Sequence, residues 1–302
     1  MTGYFVVNDG TDRESWLADR NRGASATDVA RIMTGGAGTW ASLRDEKQGG
    51  KSFRGNAYTQ HGREREAAIA AYAADVYGLA PSTALLGRWA DGDVDLPFPL
   101  DLATPDALGA GTQTGREFGE FKTTVHDWPT WADVPARYFW QVVWQFHVTG
   151  ADLCRFVFEP HEGFVPLYAE PRTFTIERDQ VADEIAQAVE TVTAWRLADL
   201  APVPDDLAEL DALLQLREVA KEAADAAAAR LAAHDDAIRA LLEATGREVK
   251  FEGTGSNVTW TGRPGKTTRF DQAAFKARYP AAAARFTKTT ETRLRLTITA
   301  RS

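Results

Sequence analysis

Between residues 62 and 198 the hydrophobic period of this chain changes repeatedly, and the order of those changes limits its fold more than any other feature. Residues 62–78, GREREAAIAAYAADVYG, place Ile69, Tyr72, Ala73 and Val76 at i, i+3, i+4 and i+7, one face of a helix that Gly78 ends. Residues 83–125 then break into short runs, TALLGRWADGD, DLPFPLDLATPD, ALGAGTQTG and REFGEFKTT, separated by Gly, Pro and Asp. That texture predicts a β-meander with a Gly-rich hairpin turn before its last strand. Residues 137–149, RYFWQVVWQFHVT, follow Pro135 and are long enough for a buried helix. Strand-like alternation returns over 151–176, and a helix over Arg178 to Ala198. This succession predicts an α/β fold with a mixed central sheet flanked by helices.

On either side the signals are weaker. Asn8-Asp9-Gly10 reads as a turn into a helix within 11–33. A polar stretch then leads to a second helical start, with Thr27 or Asp28 as N-cap for Val29, Ala30, Ile32 and Met33. Residues 34–61, rich in Gly, Ser, Thr and Asn, read as loop around a short helix. Ala201-Pro-Val-Pro-Asp-Asp206 is the clearest boundary, dividing a domain at 1–200 from an extension at 201–302. In that extension, residues 206–245 are Ala-rich with interleaved charge, one long helix or a helical hairpin ended by Gly246, without a strict heptad. The tail offers two strand-like runs, NVTW at 257–260 and RLRLTIT at 293–299, around a helix at 271–286.

The composition excludes several classes. With 302 residues, 44% of them hydrophobic and 25% charged, the chain can bury a substantial core. No apolar run approaches the roughly 18 residues of a membrane span. The start, MTGYFVVNDGTDRE, lacks a basic-then-apolar signal pattern, so a cytoplasmic protein is expected. One cysteine, Cys154, excludes an internal disulfide, a cysteine-built zinc site and a four-cysteine iron–sulfur cluster. The net charge of −9 is segregated: −11 over residues 151–250 against +7 over 251–302. Such blocks suit a surface that meets an anionic partner, or a tail that is basic for solubility.

The chemistry concentrates between residues 60 and 125. Asp106 follows Thr104-Pro105 at the end of one predicted strand, and Glu120-Phe121-Lys122 lies on the next. Alternation sends Glu120 and Lys122 to one face and Phe121 to the other. Two carboxylates beside one ammonium suit a hard divalent cation such as Mg²⁺, which takes one or two carboxylates and completes its shell with water and phosphate. A solvated i,i+2 charge pair accounts for the same three letters. Glu66 falls about 60° from Ile69 on a helical wheel, at the margin of the apolar stripe, and needs a partner there. Glu64, on the far side, is expected in solvent, and Arg65 offers a plain ion pair.

Six short motifs in order tip this balance. They are Trp16-x-x-x-Arg20, Gly23-Ala-Ser25-Ala-Thr27-Asp28, Gly62-x-x-x-Glu66, Ala103-Thr104-Pro105-Asp106, Glu120-Phe121-Lys122, and Tyr138-x-x-Gln141-Val-x-Trp144-Gln145 with Val148-Thr149-Gly150. Together they resemble the YqaJ-type phage recombination nucleases, relatives of bacteriophage lambda exonuclease within the PD-(D/E)xK superfamily. Val258-Thr-Trp260, Asp271-x-x-x-Phe275, Tyr279-Pro280 and Arg293-x-Arg295 resemble the ending of longer members. The resemblance implies a PD-(D/E)xK core in which Asp106, Glu120 and the Phe121 carbonyl bind Mg²⁺, with Mn²⁺ as a substitute. It implies Lys122 as the catalytic lysine, Glu66 near a second metal, and Gln141 in support. Arg20, Ser25, Thr27 and Thr104 match positions that receive the 5′-phosphate of a DNA end. It further implies 5′→3′ digestion of one strand of duplex DNA, a 3′ overhang for a single-strand annealing protein, and a ring-shaped trimer. Two positions depart from the family pattern: Ala107 stands where Gly is usual, which requires a negative φ, and Val143 replaces a second glutamine.

Other features carry less. Gly262-Arg-Pro-Gly265-Lys266-Thr267 ends like a phosphate loop, but the first Gly of GxxxxGK[ST] falls on Trp260. His61, His126, His147, His161 and His234 show no zinc spacing, and His147 reads as a satisfied core residue. Trp140 and Trp144 read as core. Ser25 and Thr27 also suit helix caps, and Arg20 also suits a pair with Asp19 or Glu14. The alternatives to a recombination exonuclease are a restriction-type endonuclease, a CRISPR-associated nuclease, or a non-catalytic DNA-binding scaffold using the 206–245 helix.

Overall fold

Strand β1 (Phe5–Asn8) leads into α1 (Arg13–Arg20), whose N-cap Asp12 accepts from the backbone N–H groups of Glu14 and Ser15. A three-residue strand, β2 (Gly23–Ser25), separates it from α2 (Ala26–Thr34). Ser25 is the N-cap of α2, and Asp28 reaches back to it, its Oδ2 accepting from the Ser25 N–H at 2.8 Å and Oγ–H at 2.6 Å. Of the cap candidates Ser25, Thr27 and Asp28, the structure uses Ser25, with Asp28 as its capping-box partner. Helices α3 (Ala37–Lys47) and α4 (Ala57–Tyr77) follow. Then come β3 (Leu79–Pro81), β4 (Leu85–Trp89), β5 (Leu100–Ala103), β6 (Ala107–Gly109) and β7 (Glu117–Thr124). Helix α5 (Ala136–Thr149) stops at Gly150, whose φ of 66° is the left-handed C-cap that glycine favours. Strands β8 (Leu153–Glu162), β9 (Val165–Pro166) and β10 (Arg172–Glu177) precede α6 (Ala182–Leu197) and α7 (Leu210–Ala244). The chain continues through β11 (Val249–Glu252), β12 (Asn257–Trp260), α8 (Gln272–Arg278) and α9 (Pro280–Arg285).

This computed structural model describes residues 4–49, 57–90, 96–109, 117–200, 207, 209–253, 256–261 and 270–286, with the backbone alone over 57–63. Contacts divide the chain into two compact units, Met1–Arg230 and Leu231–Ser302. The expected boundary at 201–206 and the RLRLTIT run lie outside the described residues. The second unit contains the antiparallel pair β11–β12, of which only β12 was anticipated, followed by α8 and α9.

In the first unit the fold is α/β, with two mixed sheets where one was expected. One has the order β1-β4-β5-β2, the other β10-β8-β7-β6-β3 with β9 paired to β8. The pairs β2–β5 and β7–β8 are parallel and the rest antiparallel. The link Thr104-Pro105-Asp106 carries the chain from the first sheet to the second. Helix α4 covers one face of the larger sheet, packing Ile69 and Ala73 with Ala107, Phe121 and Val157. On the other face lie Phe118, Phe156 and Phe158 with α5, which also packs against α2, α6 and β5. Residues Val142–Thr149 of α5 are all buried, so burying that helix removes a large apolar area from water. Trp144 ties it to β2, donating from Nε1 to the Ala24 carbonyl at 3.1 Å.

Candidate active site

The parallel pairing of β7 with β8 and the bend at Asp106 bring Asp106 beside the Glu120-Phe121-Lys122 segment. The Asp106 N–H donates to the Gly119 carbonyl at 3.0 Å, so the residue after Pro105 lies beside the middle of β7. The Phe121 N–H then donates to Asp106 Oδ2 at 2.6 Å and fixes the carboxylate. Glu120 and Lys122 project toward α5, and Phe121 packs under α4, as alternation required. Glu120 is only 3% exposed. One of its oxygens accepts from Lys122 Nζ, and the other from Gln145 Nε2 at 2.6 Å.

These groups line a cleft of about 380 Å³. Its floor is Asp106, Glu120 and Lys122; α5 adds Tyr138, Gln141 and Gln145, which share a helical face. The opposite wall is Trp16 and Arg20 from α1, Ser25 with Ala26 and Thr27 from the start of α2, and Thr104. Arg20 donates to Ser25 Oγ from Nε at 3.1 Å and from Nη2 at 2.9 Å, and lies 3.9 Å from Asp28. It does not pair with Asp19, which takes Asn8 and Arg22 instead. Ser25 is thus both a helix cap and a cleft residue, while Thr27 is exposed at its rim. Burial alone would raise the Asp28 carboxyl, but Lys47, 2.8 Å away, and Arg20 outweigh it and hold the group well below the ordinary carboxylate range.

The electrostatics of the floor run the other way. Burial, and after it the charge of Glu120, pushes the Asp106 carboxyl up to about 8, with Glu66 adding a smaller repulsion. For Lys122 burial disfavours the charge, yet Glu120 and Asp106 more than offset it and raise its pKa well above the usual value. Two hard oxygen donors that repel one another at close range are the donor chemistry of a divalent cation. Gln145 Oε1, buried beside Glu120, meets no hydrogen-bond donor, so one more oxygen in this corner has spare accepting capacity. Among the described residues no three His, Cys, Asp or Glu converge as a closed metal cage. The residues present fit an ion held by two carboxylates with an otherwise open shell.

One expected participant stands apart. Glu66 is exposed rather than set at the margin of the apolar stripe, because α4 packs on the Phe121 face of the sheet. It reaches Asp106 only as a field and does not line the cleft. Its neighbour Arg65 pairs with Glu159 of β8, from Nε at 2.8 Å and Nη2 at 2.6 Å. The contact that fixes Asp106 is made by the Phe121 N–H. Gln145 and Tyr138 carried no role from the sequence, although their spacing with Gln141 marks one helical face. His147 is a satisfied core residue: it bonds Asp101 at 2.8 Å, and Asp101 also takes Arg196 at 2.6 Å. Ala107 is buried, and the only positive-φ residues besides glycine among those described are Phe98 and Phe164, so alanine is accommodated there.

Residues 15–152 match the YqaJ-like viral recombinase domain. Among solved structures, the chain is similar to LHK-Exo in complex with dAMP, at 25% identity over 69% of this chain and 98% of that one, with a TM-score of 0.45. A second structure of that protein, an alkaline exonuclease from Laribacter hongkongensis, matches at 24% identity with the same coverage and a TM-score of 0.43. A phage related exonuclease from Haemophilus somnus 129PT is 14% identical over 56% of this chain and 80% of its own, with a TM-score of 0.35. No curated protein matches the chain. Among the described residues no helix is long and apolar enough to cross a membrane. Every side chain that lines the cleft falls inside residues 15–152, the segment that matches the YqaJ-like viral recombinase domain.

Proposed function

We propose that this chain is a divalent-metal-dependent nuclease of phage or prophage recombination, an exonuclease that removes one strand of linear duplex DNA in the 5′→3′ direction. The observation that supports it most is the convergence in one cleft of Asp106, Glu120 and Lys122 with Arg20, Ser25, Thr27 and Thr104. Asp106 and Glu120 would hold Mg²⁺, or Mn²⁺ in its place, with the Phe121 carbonyl as a further oxygen and Glu66 toward a second ion. When bound, such a cation supplies Lewis-acid charge at a phosphate and lowers the pKa of water.

The chain's own groups supply the rest. The Phe121 N–H and Gln145 hold the two carboxylates in orientation, so little reorganisation is needed as substrate arrives. Lys122 carries a persistent positive charge on the cleft floor, suited to orienting a water and to balancing charge on the scissile phosphate. Gln141 adds a polar edge on the same wall. Across the cleft the Arg20 guanidinium, with the hydroxyls of Ser25, Thr27 and Thr104, makes a site for a terminal phosphate. The 3′ overhang left by such a reaction is the substrate of a single-strand annealing protein, the partner proposed here. A ring-shaped homotrimer in the cytoplasm of the host cell completes the reading. Local charge in the cleft, rather than the net −9, governs DNA affinity.

Strand polarity tests it. On a linear duplex phosphorylated at one 5′ end only, the phosphorylated strand should shorten from that end and its complement persist. Shortening from the 3′ end, or equal loss of both strands, refutes the proposed polarity.

A further inference from the structure

Helix α7 reaches the cleft through a run of polar contacts. Within Met1–Arg230 its inner face carries Glu222, Ala223, Ala226 and Arg230, and Ala226 is the one buried residue of the helix. Apolar burial there is slight, so ion pairs hold the helix. Asp211 takes Arg31 at 2.8 Å, Arg230 Nε lies 3.0 Å from Glu162, and Glu222 holds Arg137 with both oxygens, the Nη2–Oε2 contact being 2.6 Å.

Arg137 stands in the first turn of α5, next to the cleft residue Tyr138. Its guanidinium lies 4.4 Å from the centroid of the Tyr138 ring, and its Nη2 is 3.3 Å from the Tyr138 hydroxyl. Lys122 Nζ lies 5.5 Å from the centroid of that same ring. A lysine has four rotatable bonds and no preferred fork, so its ammonium stays in one place only where its surroundings hold it. Glu120 restrains it from one direction, and the Tyr138 ring borders it as an aromatic neighbour that attracts a cation. The ring in turn is held by a guanidinium that Glu222 clamps.

We propose that Arg137 and Glu222 are positioning residues for Lys122, acting through Tyr138, so that the first half of α7 forms part of the active site's support. This rests on the reading of Lys122 as the catalytic lysine. Both members of the pair are about one-third exposed. A planar fork that both stacks and bonds bidentately has no lysine equivalent.

The test uses the full chain at saturating Mg²⁺ on a linear, 5′-phosphorylated duplex, with Lys122→Ala as reference and melting temperatures recorded throughout. Glu222→Ala and Arg137→Lys should each lower kcat by about tenfold, the scale of a sub-ångström misplacement, with KM for DNA within about twofold. The double variant should be no slower than the slower single one. Glu222→Gln, which keeps an acceptor oxygen, should fall between Glu222→Ala and the parent, and it carries the test if Glu222→Ala melts early. An unchanged kcat overturns the proposal, as do additive losses. A lower KM at unchanged kcat also overturns it, because Glu222 would then be screening Arg137 from DNA phosphates. A higher KM alone overturns it in favour of a direct DNA contact by Arg137. If Lys122→Ala itself hydrolyses DNA normally, the reading of Lys122 fails, a result distinct from all of these.

Discussion

Gln145 Nε2, on the cleft face of a buried helix, donates to Glu120 Oε2 at 2.6 Å, while Lys122 occupies the other oxygen. Glu120 is therefore aimed by its neighbours before any ligand arrives. Outer partners of this kind typically govern ligand affinity by about 10- to 100-fold. Gln145→Ala should raise the Mg²⁺ concentration for half-maximal hydrolysis by a factor in that range, with a smaller change at saturating metal. Gln145→Glu should be worse, since it places a like charge against Glu120. A metal titration of initial rates measures both.

Asp106 trades stability for chemistry. Its carboxyl is raised in the folded chain, to about 8, by burial and by Glu120. A carboxylate whose folded pKa exceeds its unfolded value of about 3.9 destabilises the fold progressively as pH climbs between the two. In EDTA, Asp106→Asn should thus melt higher than the parent at pH 8, and the gap should shrink toward pH 4. Adding Mg²⁺ should stabilise the parent and not the variant. Equal melting of the two at pH 8 in EDTA would contradict this.

Asp28 has the opposite sign. Lys47 and Arg20 overcome the effect of burial and depress its pKa, so its contribution is complete above the ordinary carboxylate value near 4 and lost as pH falls below it. Asp28→Asn leaves the Lys47 ammonium, 4% exposed, with the Arg20 carbonyl but without its charged partner, a loss of roughly 3–5 kcal/mol for a broken buried pair. Urea unfolding at pH 7 should show it, and the difference between variant and parent should narrow on strong acidification.

End recognition can be tested apart from strand cleavage at Arg20. Arg20→Lys keeps the charge beside Asp28 but loses the fork that meets Ser25 Oγ twice. Digestion of 5′-phosphorylated ends should slow by about tenfold in kcat/KM, the cost of one charged hydrogen bond, while 5′-hydroxyl ends change little. Parallel time courses on the two substrates compare these rates.

Much of this site was legible because its residues occupy short motifs with fixed chemistry. Strand alternation placed Glu120 and Lys122 on one face, the ordered motifs set Asp106 with them, and Arg20, Ser25, Thr27 and Thr104 do share the cleft. The strand β2 was invisible: Gly23-Ala-Ser25 has no period, and it is a strand only because β5 pairs with it in parallel. Helix α3 is the short helix expected within 34–61, its bounds left open by a Gly- and Ser-rich stretch and set by tertiary contacts such as Trp40 Nε1 donating to the Ile32 carbonyl at 2.9 Å. Gln145 was masked for a different reason. Helix α5 carries two glutamines on one face, Gln141 and Gln145, and their spacing did not say which of them reaches Glu120. Glu66 was misplaced because a helical wheel gives an angle without saying which neighbour the apolar face meets.

The most direct test of a metal-dependent exonuclease in this cleft compares a linear duplex with a covalently closed circle, in Mg²⁺ and in EDTA, for the parent and Lys122→Ala. The proposed reaction predicts mononucleotide release from the linear DNA alone, abolished by EDTA and reduced by at least about a hundredfold in the variant. Cleavage of the circle would contradict exonuclease action, and DNA binding without hydrolysis in Mg²⁺ would contradict catalysis at Asp106, Glu120 and Lys122.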